Sequence, residues 1–230
     1  MRDLREDLDP IWRSATRLSA RSNGARIIMF TSAVRGEGVS SMAASFAALA
    51  ARRSEKPVWL VDLDLRANPQ FNAFKKGFAR DIGRLGRTFD ASLRQTPIFK
   101  ISPRPADGRL DKLLTVNEVD GLSLLVTRVL CDRRGAGQSV SLHPSPEGRL
   151  AVRQISGCVV IDAPALSQSS AAQTMASVTD GIVLVVAADH TTPAEVDGAQ
   201  SELEARNGRV LGAVLNRVKA DARLADRFST

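Results

Sequence analysis

Short apolar runs recur along the chain at Ala25–Thr31, Pro57–Asp62, Gly157–Ala163, Gly181–Ala188 and Arg209–Asn216, and they read as core strands. Helical spacing lies between them, at Ser40–Arg52, at about Ser169–Ser177 and at Pro193–Arg206. Apolar strands alternating with amphipathic helices predict an α/β fold with one doubly wound, mostly parallel sheet and helices on both faces. Thr192-Pro193 with Glu195 opens the last helix and Asn207-Gly208 closes it. Asp3–Arg21 predicts an amphipathic helix broken near Pro10. Phe71–Leu150 is less regular, with a strand expected at Leu122–Val126 and a turn at Pro144–Gly148. The expected organisation is a helical segment over 1–24, one domain over 25–218 with 71–150 as a variable insertion, and a tail over 219–230.

The first core strand runs into Thr31–Ser41, TSAVRGEGVSS, so this segment reads as strand, glycine-rich loop and helix. In such a loop Gly36 and Gly38 let successive N–H groups turn toward phosphate oxygens, and the next helix adds its positive dipole end. Gly36, Glu37, Gly38, Ser40 and Ser41 are the expected phosphate-side residues. A complete loop of this kind carries Lys and then Ser or Thr after its last glycine. Val39 stands in the lysine position, ahead of Ser40 and Ser41. A charge-assisted hydrogen bond to phosphate contributes roughly 1.5–3 kcal/mol, so losing it weakens binding about 10- to 150-fold. Losing one preorganised transition-state donor costs about 2.7–4 kcal/mol, or roughly 10²–10³ in rate. Binding is expected to survive Val39, and hydrolysis is not. Arg35 carries charge within the loop, but its long planar head is a poor replacement for an ammonium.

Three further strand ends bear polar groups. The second core strand ends in VDLDLRANP, which places Asp62, Asp64 and Arg66 at the carboxyl edge, where ligands bind in open α/β sheets. CVVIDAP ends in Asp162, the Walker B pattern of apolar residues before an acid that holds Mg²⁺ through water. Asn216, in LNRV, is placed to read an adenine edge and Arg217 to cover the base. Gly36-x-Gly38 with Asp62 downstream also mimics a dinucleotide fingerprint, but the Walker B strand and Asn216 argue against that reading.

Composition narrows the classes. A length of 230 residues suits one α/β domain, and 43% apolar with 25% charged residues is ordinary for a globular chain. MRDLREDLDP lacks the apolar stretch of a secretory signal and Gly181–Ala188 is too short to span a bilayer, so a soluble, cytoplasmic chain is expected. Cys131 and Cys158 fit a reducing compartment, and Cys158 reads as a small buried hydrophobe. The net charge of +7 invites nucleic acid, but no helix-turn-helix, zinc or aromatic-stacking pattern accompanies it. Much of the excess lies between Lys75 and Lys112, including Lys76, Arg80, Arg84 and Arg87. That region reads as a solvated insertion, or as a patch for an acidic partner or an anionic lipid surface.

The set TSAVRGEGVSSMAASFAALA, VDLDLRANP, VVIDAP, DGIVLVV and VLGAVLNRV resembles the cytoplasmic ATPase domain of the bacterial tyrosine kinases of polysaccharide biosynthesis and export, within the MinD/ParA group of P-loop ATPases. The resemblance implies that the loop and Ser40 hold phosphates and Mg²⁺ of ATP or ADP. It implies that Asp62 and Asp64 organise the metal and the attacking group, with Asp64 catalytic in an active enzyme, and that Ser40, Asp62 and Asp162 serve the metal. It also implies a membrane-spanning chain-length (co-polymerase) partner, and hence a peripheral place at the inner membrane; a homo-oligomer is a further expectation. The chain departs from the pattern at Val39, at Ser45 in place of an asparagine, and at Ala171 where an acid often follows Walker B. The sequence contains no tyrosine, so Lys219–Thr230 is not the tyrosine cluster that such kinases phosphorylate. The family's N-terminal contact motif of one Glu and two Arg is only loosely matched by Glu6, Arg13 and Arg17. The expectation is an accessory protein of exopolysaccharide or capsule synthesis with weak or no catalysis. The alternatives are an active ATPase or protein kinase of that pathway and a MinD/ParA-type positioning factor.

Overall fold

The structure is a computed structural model that describes residues 1–17, 25–91, 99–102, 114–130, 139–144 and 156–218. Its centre is four strands whose apolar runs are buried along nearly their whole length: β1 (Arg26–Thr31), β2 (Val58–Asp62), β8 (Cys158–Asp162) and β9 (Gly181–Ala187). With β3 (Leu85–Asp90), β5 (Leu114–Val119), β6 (Leu122–Val129) and β10 (Val210–Asn216) they form one sheet in the order β10-β9-β1-β8-β2-β6-β5-β3. The strands from β10 to β6 are parallel and β5 pairs antiparallel with both β6 and β3, so the sheet is mostly parallel, as the alternation predicts. The register sets Asp62 of β2 directly beside Asp162 of β8.

Helix α2 (Val39–Arg53) covers one face. Its run of small residues, Ala43, Ala44, Ala47, Ala48, Ala50 and Ala51, is buried, which lets the backbone lie close to the sheet, and Phe46 meets Phe30 of β1 at 5.2 Å between ring centroids. The other face buries Ile27, Met29, Trp59, Val61, Val159 and Ile161 together with Met175 and Leu203. Leu203 belongs to α5 (Pro193–Glu204), which opens with the expected capping box of Thr192 and Glu195. At its end Asn207 takes the left-handed conformation and the Gly208 N–H donates to the Leu203 carbonyl. Helix α4 (Ala171–Met175) is shorter than the spacing suggested and passes into a 3₁₀ turn at Ala176–Val178.

The N-terminal segment differs from its expected broken helix. A 3₁₀ turn at Arg5–Leu8 leads directly into α1 (Asp9–Arg17), and Pro10 sits at the start, where no intrahelical N–H is required. Leu4, Leu8 and Ala15 are buried in the same core cluster as α2, and Trp12 packs on Phe46 at 6.0 Å between ring centroids. Arg5 bridges Asp3 and Asp81, Arg52 also reaches Asp81, and the two guanidinium groups hold the Asp81 carboxyl well below its ordinary range. Residues 18–24 of the expected helix lie outside the described residues.

Two further expectations are corrected. The segment read as irregular contains α3 (Pro69–Lys75), the strands β3, β5 and β6, and a separate antiparallel pair, β4 (Phe99–Ser102) with β7 (Ser139–Leu142). Its strand at Leu122–Val126 is present and extends to Val129. This part extends the sheet past β2; β3 is largely exposed, so it lacks the apolar continuity that marks the centre. Second, β10 is an edge strand, half exposed along its length, with Leu215 at 57% exposure. Cys158 is buried, and burial pushes its thiol up to about 12. Cys131, Ser145–Gly148 of the expected turn, and the cations Arg94, Arg104, Arg109 and Lys112 lie outside the described residues.

Candidate functional site

At the carboxyl edge of the sheet a cleft of about 350 Å³ opens between the 32–41 loop and the ends of β2 and β8. Its lining includes Arg35, Gly36, Gly38, Ser40, Asp62 and Asp162, together with Ser41, Asp64 and Arg217. The loop residues, the paired acids of β2 and the acid of β8 therefore meet at one place. Three of the four non-glycine residues with left-handed backbones among those described, Asn68, Asp189 and Arg217, follow the strands β2, β9 and β10 on this same edge. Strain of this kind persists only where the surroundings enforce it.

The loop is built from within. Gly36 and Gly38 have φ of 91° and 95°, the range in which a side chain is strained. A Cβ on Gly38 would lie 2.2 Å from Asn216 Nδ2. Glu37 is fully buried and its carboxylate turns into the protein. Oε2 accepts from the Val34 N–H at 3.0 Å, and Oε1 accepts from the Ala187 N–H at 2.9 Å and from the Thr191 hydroxyl. Asn216 Nδ2 donates to the Glu37 carbonyl at 2.7 Å, and the Arg217 N–H donates to Asn216 Oδ1 at 2.9 Å. Glu37 and Asn216 thus tie the loop to the ends of β9 and β10. In this structure the Asn216 amide is engaged with the loop, while Arg217 stands at the cleft.

Asp62 and Asp162 are 3% and 4% exposed, and burial pushes both carboxyls upward, with the Asp162 charge adding to the rise at Asp62. Asp62 Oδ1 accepts from the Asp64 N–H at 3.0 Å and Oδ2 from the Gln70 N–H at 2.9 Å. Asp162 Oδ2 accepts from Gln70 Nε2 at 2.7 Å, and this bond and the nearby Ser40 side chain offset part of the upward push of burial. Asp64 Oδ1 accepts from the Ala67 N–H at 3.0 Å and shapes the turn into α3. Arg66 lies exposed on that turn and does not line the cleft. Ser41 and Ser45 serve the N-terminal segment: Ser45 Oγ accepts from the Leu4 N–H at 2.8 Å and Ser41 Oγ from the Arg2 N–H at 3.1 Å.

Gln70 is the site residue that sequence reasoning missed. It is fully buried at the second position of α3. Its Nε2 donates to the Ser40 carbonyl at 2.9 Å and to Asp162 Oδ2 at 2.7 Å, while its Oε1 is buried without a hydrogen-bond partner. The available signal was Asn68-Pro69, a helix-start pattern that puts Gln70 in the first turn, where backbone donors are free. Asp62, Asp162 and the Ser40 hydroxyl on the cleft wall form an all-oxygen, electron-rich set, which fits a small hard divalent cation such as Mg²⁺.

Neither a family model nor a curated protein matches the chain. Solved structures do. The kinase domain of Escherichia coli tyrosine kinase ETK superposes with a TM-score of 0.60 at 18% identity, over 92% of this chain and 75% of that one. The chain has the fold of a bacterial tyrosine-kinase domain. The chimerical protein CapA2B2 gives 0.63 at 20% identity over 93% and 84% of the two chains, and MinD cell division protein of Aquifex aeolicus gives 0.55 at 18% over 89% and 74%. This tyrosine-kinase/MinD fold agrees with the resemblance carried by the glycine-rich loop and the paired acids. No helix among the described residues is long and apolar enough to cross a membrane.

Proposed function

We propose that this chain is an accessory protein of bacterial exopolysaccharide or capsule biosynthesis and export, which binds ATP or ADP with Mg²⁺ but hydrolyses it weakly or not at all. The observation that carries the reading is a phosphate loop held in shape by Glu37 and Asn216, facing Asp62 and Asp162, with apolar Val39 at the place of the charge-bearing lysine. Ser40, Asp62 and Asp162 would hold the metal, which would supply positive charge against the phosphates. The N–H groups around Gly36 and Gly38 would receive phosphate oxygens, and Arg35 and Arg217 supply cationic charge at the cleft. The named kinase neighbours and the CapA2B2 chimera support the pathway and a membrane co-polymerase as partner. The absence of tyrosine means that this sequence does not phosphorylate itself on tyrosine.

Titration of the purified chain with ATP and ADP, alongside a phosphate-release assay, tests this reading. Binding with release near background is the expected result. Robust Mg²⁺-dependent turnover that disappears in Asp64→Ala would instead establish an active ATPase or kinase.

The docking of the partner or membrane is assigned to the cations at the end of α3 and just beyond it. Lys75, Lys76, Arg80 and Arg84 are exposed, and they stand on a segment anchored by buried Phe74, Phe78 and Ile82. Phe74 and Phe78 meet at 5.2 Å between ring centroids, so the charges sit on a packed platform. Reversing these four charges is expected to shift the protein from the membrane to the soluble fraction and to reduce polymer output, with an unchanged circular dichroism spectrum. Exposed charges change stability little. A deletion strain with normal surface polysaccharide but a misplaced division site or chromosome would favour the positioning role that the MinD likeness offers.

A further inference from the structure

Gln70 has three polar functions, and its surroundings use them unevenly. The backbone N–H goes to Asp62 Oδ2, and both side-chain hydrogens go to site elements, one to the Ser40 carbonyl on the loop helix and one to Asp162 on β8. Both partners of Nε2 are acceptors. Exchanging the amide oxygen and nitrogen would set oxygen against oxygen at each contact, so the partners fix the orientation. Oε1 therefore remains at the other corner of a fully buried amide, with no donor. A buried acceptor without a partner costs about 1–3 kcal/mol. A glutamine kept only for packing is replaced without loss by an apolar residue of the same length. Here the side chain ties α2 to β8, and its backbone ties α3 to β2, at the point where the two buried carboxylates face each other.

We propose that Gln70 is a positioning residue for the divalent ion of this site. It holds Asp162 and the Ser40 carbonyl in fixed relation through Nε2 and presents Oε1 as acceptor to a water that the ion carries. Mg²⁺ suits such a post, because it sheds water reluctantly and is held partly through its hydration shell. The inference rests on the nucleotide reading above and goes beyond it. The metal set expected from the sequence was Ser40, Asp62 and Asp162; Gln70 adds the residue that makes their arrangement specific for a hydrated ion. It also links metal occupancy to α3, the helix that leads to the basic platform.

The test is ADP binding by calorimetry on the full chain, with Mg²⁺ and with EDTA, for the natural protein and for Gln70→Met, which keeps length and removes every side-chain hydrogen bond. In the natural protein Mg²⁺ tightens ADP. In Gln70→Met that gain falls tenfold or more, while affinity in EDTA stays within about twofold. Linkage is reciprocal, so the tightening of Mn²⁺ by ADP, read by electron paramagnetic resonance, must fall by the same factor. A purely structural residue would weaken ADP equally with and without the metal, and that outcome, or an unchanged gain, overturns the role of Gln70 while leaving the nucleotide reading intact. Failure of the natural chain to bind nucleotide under either condition overturns both. If Gln70→Met does not fold, Gln70→Asn, which withdraws both ends of the amide by one methylene, carries the same expectation.

Discussion

Val39→Lys is expected to tighten ADP binding about 10- to 150-fold, the amount that a charge-assisted hydrogen bond to phosphate supplies. Val39 is the first residue of α2, directly after the left-handed Gly38, and it lines the cleft with Ser40 and Ser41. The rest of the loop is already in place, because Glu37 and Asn216 hold it through hydrogen bonds within the protein. The new ammonium therefore enters a shaped site. Val39 also packs partly against the core around Phe46, but the methylene stem of lysine retains much of that contact. The ligand-free melting temperature should fall slightly, and the shift produced by saturating ADP should grow with the tighter Kd. The check is calorimetric titration of the two proteins side by side. A change smaller than twofold would mean that phosphate does not reach this loop.

Glu37→Ala has the largest expected cost in stability, about 2–4 kcal/mol, because it leaves the buried Ala187 N–H without an acceptor at about 1–3 kcal/mol and the half-buried Val34 N–H at roughly 1 kcal/mol. For a domain of this size that corresponds to a fall in melting temperature of roughly 4–16 °C. Nucleotide binding should be lost as well, since the loop is released from β9 and from the Thr191 hydroxyl. Glu37→Gln separates the two effects. It keeps one oxygen as acceptor but turns a donor toward a donor at the other, so an intermediate melting temperature is expected. A melting temperature in Glu37→Ala within a degree of the natural protein would refute the account of the loop as cross-braced by this carboxylate.

The central sheet was legible because β1, β2, β8 and β9 are covered on both faces, and burial on both sides writes an unbroken apolar run into the sequence. Where covering is one-sided the signal fades. Strand β3, LGRTFD, is largely exposed, and β10, although apolar in sequence, is an edge whose Leu215 faces solvent. Apolar content reports how a segment is composed, and the neighbours decide how much of it is covered. The glycines and acids of the site were readable for the same reason that they are useful: Gly38 marks a backbone that no side chain fits, and an acid ending a buried strand is out of place unless something meets it. The sequence placed Glu37 in the loop but said nothing of its carboxylate, which the structure turns to the Val34 and Ala187 amides. Nothing in GEG tells whether the side chain faces phosphate or the Val34 and Ala187 amides. Gln70 was silent because an amide after Asn-Pro reads as an ordinary first-turn residue. Its meaning comes from Ser40 and Asp162, which lie 30 and 92 positions away along the chain.

The packing of Trp12 on Phe46 gives the molecule an optical readout of its own. With two tryptophans and no tyrosine, near-ultraviolet emission comes from Trp12 and Trp59 alone. Trp59 is buried at 6% exposure inside the sheet, so its emission is blue-shifted and changes only when the sheet opens. Trp12 is half-buried, with the Arg53 guanidinium 5.9 Å from its ring centre, and it lies on the N-terminal segment whose Arg2 and Leu4 amides hydrogen-bond α2 beside the cleft. Lifting that segment would redden and quench Trp12 while leaving Trp59 unchanged. In a Trp59→Phe background, detachment of the segment becomes a single-fluorophore signal that stopped-flow mixing can time without any attached dye.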